Sequence, residues 1–188
     1  MDTRARVCVR QNYYSVPARY AGRRLPVRLS ATAVEVLDGP QVVARHERAA
    51  GKYAEILILD HYLEILARKP GALPGATALA QARAAGTFTA AHQGYWDAAR
   101  RQRGDAAGTQ ALIEVLPAHR TLPAEALAAA MGKAAASGVL DAQAVIIDAR
   151  RQAGRQVAPV IPLGALARYD RPAPTVDAYD QLLSRTMP

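Results

Sequence analysis

Ala33-Val34-Glu35-Val36-Leu37-Asp38-Gly39-Pro40-Gln41-Val42-Val43-Ala44-Arg45-His46 reads as two short strands around a tight reversal. Ala33–Leu37 and Gln41–His46 are rich in β-branched and apolar residues. Asp38 and Gly39 tolerate a reversed backbone, and Pro40 fixes φ just after it. Working outward, Leu25, Val27 and Leu29 alternate with Arg24 and Arg28. Ala5, Val7 and Val9 likewise alternate with Arg6, Cys8 and Arg10, which predicts a strand with one buried face. A short extended piece at Tyr14–Val16 stops at Pro17. Four or five short strands in the first quarter of the chain are too few for a sandwich and predict a small β-barrel.

Beyond Gly51-Lys52 the period changes. Tyr53–Leu59 is either a fifth strand or an extended arm, and from Asp60 the pattern turns helical over His61–Arg68. Lys69-Pro70-Gly71-Ala72-Leu73-Pro74-Gly75 is a stop signal. The spacing then predicts helices over Ala76–Ala85, His92–Arg103 with Thr89 as cap, and Thr109–Leu116, which Pro117 breaks. A helical hairpin follows, joined by Ser137-Gly138-Val139-Leu140, with Asp141 capping its second member. Trp96 reads as a core anchor among small Ala side chains. Pro159, Pro162, Pro172 and Pro174 mark an extended tether. The last segment offers Tyr179, Leu182 and Leu183 on one helical face, suited to docking on a partner or on the chain's own domain.

The net charge of +8 is uneven. Residues 1–52 carry ten Lys/Arg against four Asp/Glu, residues 53–156 eleven against nine, and residues 157–188 three against three. A cationic first quarter interleaved with Tyr favours a polyanionic partner there. The sole cysteine, Cys8, excludes an internal disulfide and fits a reducing cytoplasm. No apolar run approaches membrane-spanning length, and Met1-Asp2-Thr3-Arg4-Ala5-Arg6 lacks the apolar core expected of a signal peptide.

Chemistry is harder to find. His46, His61, His92 and His119 are widely spaced, and none sits in a metal-ligand motif. Gly132-Lys133 lacks the rest of a phosphate-binding loop. The carboxylates Glu35, Asp38, Glu47, Glu55 and Glu64 fall in or beside the basic region and suit pairing with arginines. The chain is therefore expected to be non-catalytic by itself, with no catalytic residue, no metal site and no cofactor.

Taken together, Tyr14-Ser15-Val16-Pro17, Tyr20-Ala21-Gly22-Arg23-Arg24, Val43-Ala44-Arg45-His46-Glu47-Arg48 and Asp60-His61-Tyr62-Leu63-Glu64 through Lys69–Ala76 resemble one family. It is the insertion-sequence-twenty-one transposase family, IstA, related to Mu transposase and to DDE integrases. The resemblance runs from about residue 5 to the tail. One departure is Pro117, where the family usually continues an apolar helical run. The resemblance implies a C-terminal fragment lacking the ribonuclease-H-like core, whose carboxylate triad holds divalent metal in the parent enzyme. It implies an α+β chain with four parts. Residues 5–52 are a basic, SH3-like, DNA-binding barrel and 53–75 a connecting arm and helix. Residues 76–155 are an α-helical domain and 156–188 a Pro-rich tether with a partner-binding tail. Arg10, Arg19, Arg23, Arg24, Arg28, Arg45, Arg48 and Lys52 are the expected phosphate contacts, joined by His46, with Tyr13, Tyr14 and Tyr20 packing on sugar or base. The expected partners are DNA and an IstB-like AAA+ ATPase docking at Tyr179, Leu182 and Leu183. The Ala-rich helices offer a surface for self-association. The expected location is cytoplasmic, at the nucleoid when bound to DNA.

Overall fold

The computed structural model describes residues 2–154. The hairpin forms as its residues dictate: β4 (Ala33–Asp38) and β5 (Gln41–Glu47) pair antiparallel about Gly39, whose φ of +58° suits glycine. A bulge at Val36/Leu37 shifts the register. The short strand β3 (Val27–Leu29) adds to the free side of β4 and completes one three-stranded sheet. A second sheet has the order β1-β2-β6. In it β1 (Arg6–Val9) runs antiparallel to β2 (Asn12–Ser15), and the two-residue β6 (Glu55–Ile56) runs parallel to β2.

The two sheets enclose one small core of Val7, Tyr14, Val16, Tyr20, Val34, Val36 and Ala44. Among the described residues no strand pairing joins the sheets, so the strands form two sheets face to face and not a closed barrel. Val27 and Leu29 show the consequence. They sit opposite the buried Val36 and Val34 in the register, yet each stays 37% exposed because β3 is an edge.

The helical part has its own core, centred on α3 (Ala90–Arg103). Trp96 is 2% exposed, and its indole N–H donates to Thr109 Oγ1 at 2.9 Å. Tyr95 is fully buried and donates to the Leu140 carbonyl at 3.1 Å. Around α3 lie α2 (Thr77–Ala84), α4 (Asp105–Val115), α5 (Ala124–Ser137) and α6 (Ala142–Gly154). Left-handed glycines stop the chain where the sequence predicts: Gly104 after α3 and Gly138 after α5. Pro117 does not end helical backbone outright, since α4 passes into a 3-10 stretch at Leu116–Arg120.

The expected helix at His61–Arg68 shrinks. A 3-10 turn, Leu59–Tyr62, precedes one helical turn, α1 (Leu63–Leu66). The reason is tertiary: His61 is drawn inward to Ser15, at the joint between the two cores. Ser15 is fully buried, and its hydroxyl accepts the Ile58 N–H at 2.9 Å and shares a hydrogen bond with His61 Nδ1 at 2.8 Å. The Ser15 carbonyl accepts from His46 Nε2 on β5 at 2.6 Å. Gln81 of α2 braces the same arm, accepting from Leu57 N and donating to the Glu55 carbonyl, both at 2.7 Å.

Candidate nucleic-acid interface

Where the β1–β2 turn, the end of β3 and the loop after β5 meet, they leave a shallow cleft of about 180 Å³. Arg10, Arg48 and Lys52 line it together with Asn12, Tyr14 and Leu29. No carboxylate lines it, and none of the three cations is ion-paired among the described residues. Arg48 is steadied by donating to the Ser30 carbonyl at 3.2 Å. Three uncompensated positive charges around one concavity attract an anion, and the low-dielectric walls focus that attraction.

The loop that carries Lys52 is clamped from within. Asn12 is 2% exposed; its Nδ2 donates to the Gly51 carbonyl at 2.7 Å, and its Oδ1 accepts from Ala54 N at 2.9 Å. Tyr14 is a wall of the cleft and a core residue at once, and its hydroxyl accepts from Ala49 N at 3.0 Å.

The other expected contacts divide. Arg28 and Arg45 flank Glu35 across the outer face of the β3-β4-β5 sheet, at 3.3 and 3.7 Å. Arg23 faces Asp38 at 3.5 Å. The Arg19 and Arg23 guanidiniums lie over the Tyr20 ring, 5.0 and 5.4 Å from its centroid. Arg19 and Arg24 are exposed and without an ion pair among the described residues. Tyr13 is half-buried, with Arg6 stacked 4.6 Å from its ring centroid.

Three expectations are corrected. Tyr14 is 1% exposed, His46 4% and Tyr20 7%, so none offers a ring face for packing on sugar or base, and Tyr14 reaches the cleft only as part of its wall. Period-2 alternation puts Tyr14 on the face of Val16, and His46 on the face of Ala44, which is the inner face. Burial also holds the His46 imidazole below its ordinary pKa, so it carries no positive charge near neutrality. Tyr179, Leu182 and Leu183 lie outside the described residues.

The joint does bring a serine and a histidine within hydrogen-bond distance. Ser15 and His61 are both buried, and the serine hydroxyl is already shared with the Ile58 N–H. That arrangement satisfies the backbone and fixes the imidazole. A second histidine pair stacks in the helical part: His92 Nδ1 accepts from Thr89 N at 3.1 Å, which leaves its proton on Nε2, donated to His119 Nε2 at 2.7 Å. No group of three or more His, Cys, Asp or Glu that could hold a metal gathers among the described residues. No helix among them is long and apolar enough to cross a membrane.

Residues 1–58 match the family model described as Mu transposase, C-terminal domain. The first third of the chain is thus similar to the C-terminal domain of Mu transposase. The segment similar to Mu transposase contains all six strands and all three cleft cations. This supports the transposase part of the resemblance over the β portion, whereas the helices from Leu63 onward lie outside the match. No curated protein and no solved structure is significantly similar to the chain.

Two residues of this region escaped sequence reasoning. Asn12 opens a Tyr-rich stretch and looks like turn material, yet it is the buried clamp of the cleft loop. Tyr53 begins the arm, and it is 75% exposed with φ +64°. An aromatic next to Gly51-Lys52, where the period breaks, was the available signal.

Proposed function

We propose that this chain binds DNA through its β portion, as the non-catalytic C-terminal part of a DDE-type transposase of the IstA kind. In that role it supports assembly of the protein–DNA complex for transposition, with an IstB-like AAA+ ATPase docking at the tail. The β portion is then an open relative of the SH3-like barrel. One observation carries the reading: Arg10, Arg48 and Lys52 converge without carboxylate partners inside the segment similar to the Mu transposase C-terminal domain. Phosphates supply most of such an affinity, so binding is weakly sequence-specific and strongly salt-dependent.

The test is a titration of labelled duplex DNA at several salt concentrations. Each phosphate neutralised contributes a slope of about −0.9 to log affinity against log salt. The three cleft cations alone predict a slope near −3 by the same relation. A triple variant, Arg10→Ala/Arg48→Ala/Lys52→Ala, is expected to flatten most of that dependence. A wild-type affinity that does not change with salt removes the DNA reading.

A further inference from the structure

Four non-glycine residues of the described chain have left-handed backbone, and three of them adjoin the cleft: Arg10 (φ 50°), which lines it, Gln11 (φ 64°), next in the same turn, and Tyr53 (φ 64°), next to the lining residue Lys52. Arg10-Gln11 is the two-residue turn between β1 and β2, a setting where Asn-Gly is the unstrained choice. For a bulky residue such as Tyr53 this backbone is a true outlier. Strain of this kind costs about 1–3 kcal/mol per residue and persists only where the surroundings enforce it.

The surroundings do enforce it. Tyr53 N donates to the Gln11 carbonyl at 2.9 Å, and Tyr13 N to the Ala54 carbonyl at 2.8 Å. The Asn12 side chain grips Gly51 and Ala54 on either side. Four hydrogen bonds therefore hold Tyr53 in a conformation that glycine would adopt freely. The ring gains nothing from the core in return, for Tyr53 is 75% exposed and is the most exposed large apolar residue among the described residues. A folding role would bury this ring, and a mere turn would use Gly or Asn. Its neighbours Gly51 and Lys52 line the basic cleft, as does Arg10 of the strained turn.

We infer that Tyr53 and the cleft form a seat for one unpaired nucleotide, its base stacked on Tyr53 and its phosphate held by Arg10, Arg48 and Lys52. The inference rests on the DNA-binding reading above and narrows its ligand. Paired bases inside a duplex stack on both faces and offer none, whereas an unpaired base can settle on an aromatic ring. Such stacking is worth about 1–3 kcal/mol per base and is indifferent to sequence. A shallow cleft of about 180 Å³ admits a phosphodiester linkage.

The experiment measures the affinity of the full chain for a blunt DNA duplex and for the same duplex with a short unpaired extension. Wild type is expected to favour the extended DNA by about 5- to 160-fold, the range that stacking one base predicts. Tyr53→Phe keeps the preference. Tyr53→Gly relieves the backbone and keeps or raises the thermal midpoint, yet loses the preference while binding blunt duplex like wild type. Equal wild-type affinity for the two DNAs, or a preference that survives in Tyr53→Gly, overturns the nucleotide seat and leaves the DNA reading intact. Failure to bind either DNA overturns both.

Discussion

Single side chains settle where this molecule is joined and where it is exposed, and Ser15 is the clearest case. Its carbonyl holds His46 of β5, and its hydroxyl holds Ile58 N and His61. Ser15→Ala keeps the backbone bond but strips Ile58 N–H and His61 Nδ1 of their partner inside the core. An unsatisfied buried polar group costs about 1–3 kcal/mol, so the loss is expected to be about 2–4 kcal/mol, measured by urea denaturation. A change below about half a kcal/mol would show that water replaces the hydroxyl. The same scale explains what the sequence concealed. Arginines could be recognised as cationic, but not which would find a carboxylate: Glu35 lies within reach of both Arg28 and Arg45, whereas Arg48, three residues beyond Arg45 and past the strand end, turns to the cleft. Tyr14, Tyr20 and His46 read as contact residues because their types suit nucleic acid. For Tyr14 and His46 strand parity, legible in Val16 and Ala44, was the better guide, whereas Tyr20 is buried from a 3-10 turn.

At the level of elements, the hairpin β4–β5 and the ends of α3 and α5 were legible because local chemistry alone decides them. Asp38-Gly39 must reverse, and Gly104 and Gly138 accept the left-handed backbone that ends a helix. The two-residue β6 and the shortened His61 region were not legible, since long-range bonds from Gln81 and Ser15 fix them. Packing between α3 and α4 has an equally local cause. Gly108 is buried where a Cβ would overlap the backbone of Ala99 and Arg100. Gly108→Ala must push the two helices apart, and overpacking of this kind costs about 1–3 kcal/mol. The expected result is a lower denaturation midpoint with an unchanged denaturant slope, the Tyr53 region remaining intact. The sheets make a separate prediction. The outer face of β3-β4-β5 carries Arg28 and Arg45 around Glu35, a net of one positive charge, whereas the cleft carries three with no carboxylate. Arg28→Ala/Arg45→Ala is therefore expected to change duplex affinity less than Arg48→Ala/Lys52→Ala, by at least about threefold at low salt, where unscreened charge counts most. The reverse order would move the DNA to the outer face.

Across the whole molecule, the buried histidines, one pair at the joint and one in the helical part, couple stability to pH. All four histidines lie below their ordinary pKa, and burial is the main cause for each. His61, beside His46 at the joint, is pushed down to about 4, and so is His92, stacked on His119. Asp60 works against the shift at His61 and His119, while Arg120, paired with Asp60, adds to it at His61. The sign follows from proton binding. Above about 6.5 the imidazoles are neutral in the folded and the unfolded chain alike, and the stability they support is fully present. As pH falls from 6.5 towards 4, the unfolded chain takes up protons that the folded one refuses, so stability is lost across that window. In the stacked pair a second proton would set two N–H groups against each other across a 2.7 Å contact. The thermal midpoint is therefore expected to decline steadily between pH 6.5 and 4. In His61→Asn/His92→Asn the amide oxygens can accept from Ser15 and Thr89 without titrating, so the same scan should run flatter despite a lower starting midpoint. Parallel declines in the two proteins would assign the acid sensitivity to the carboxylate pairs, such as Asp60 with Arg120, and not to the histidines.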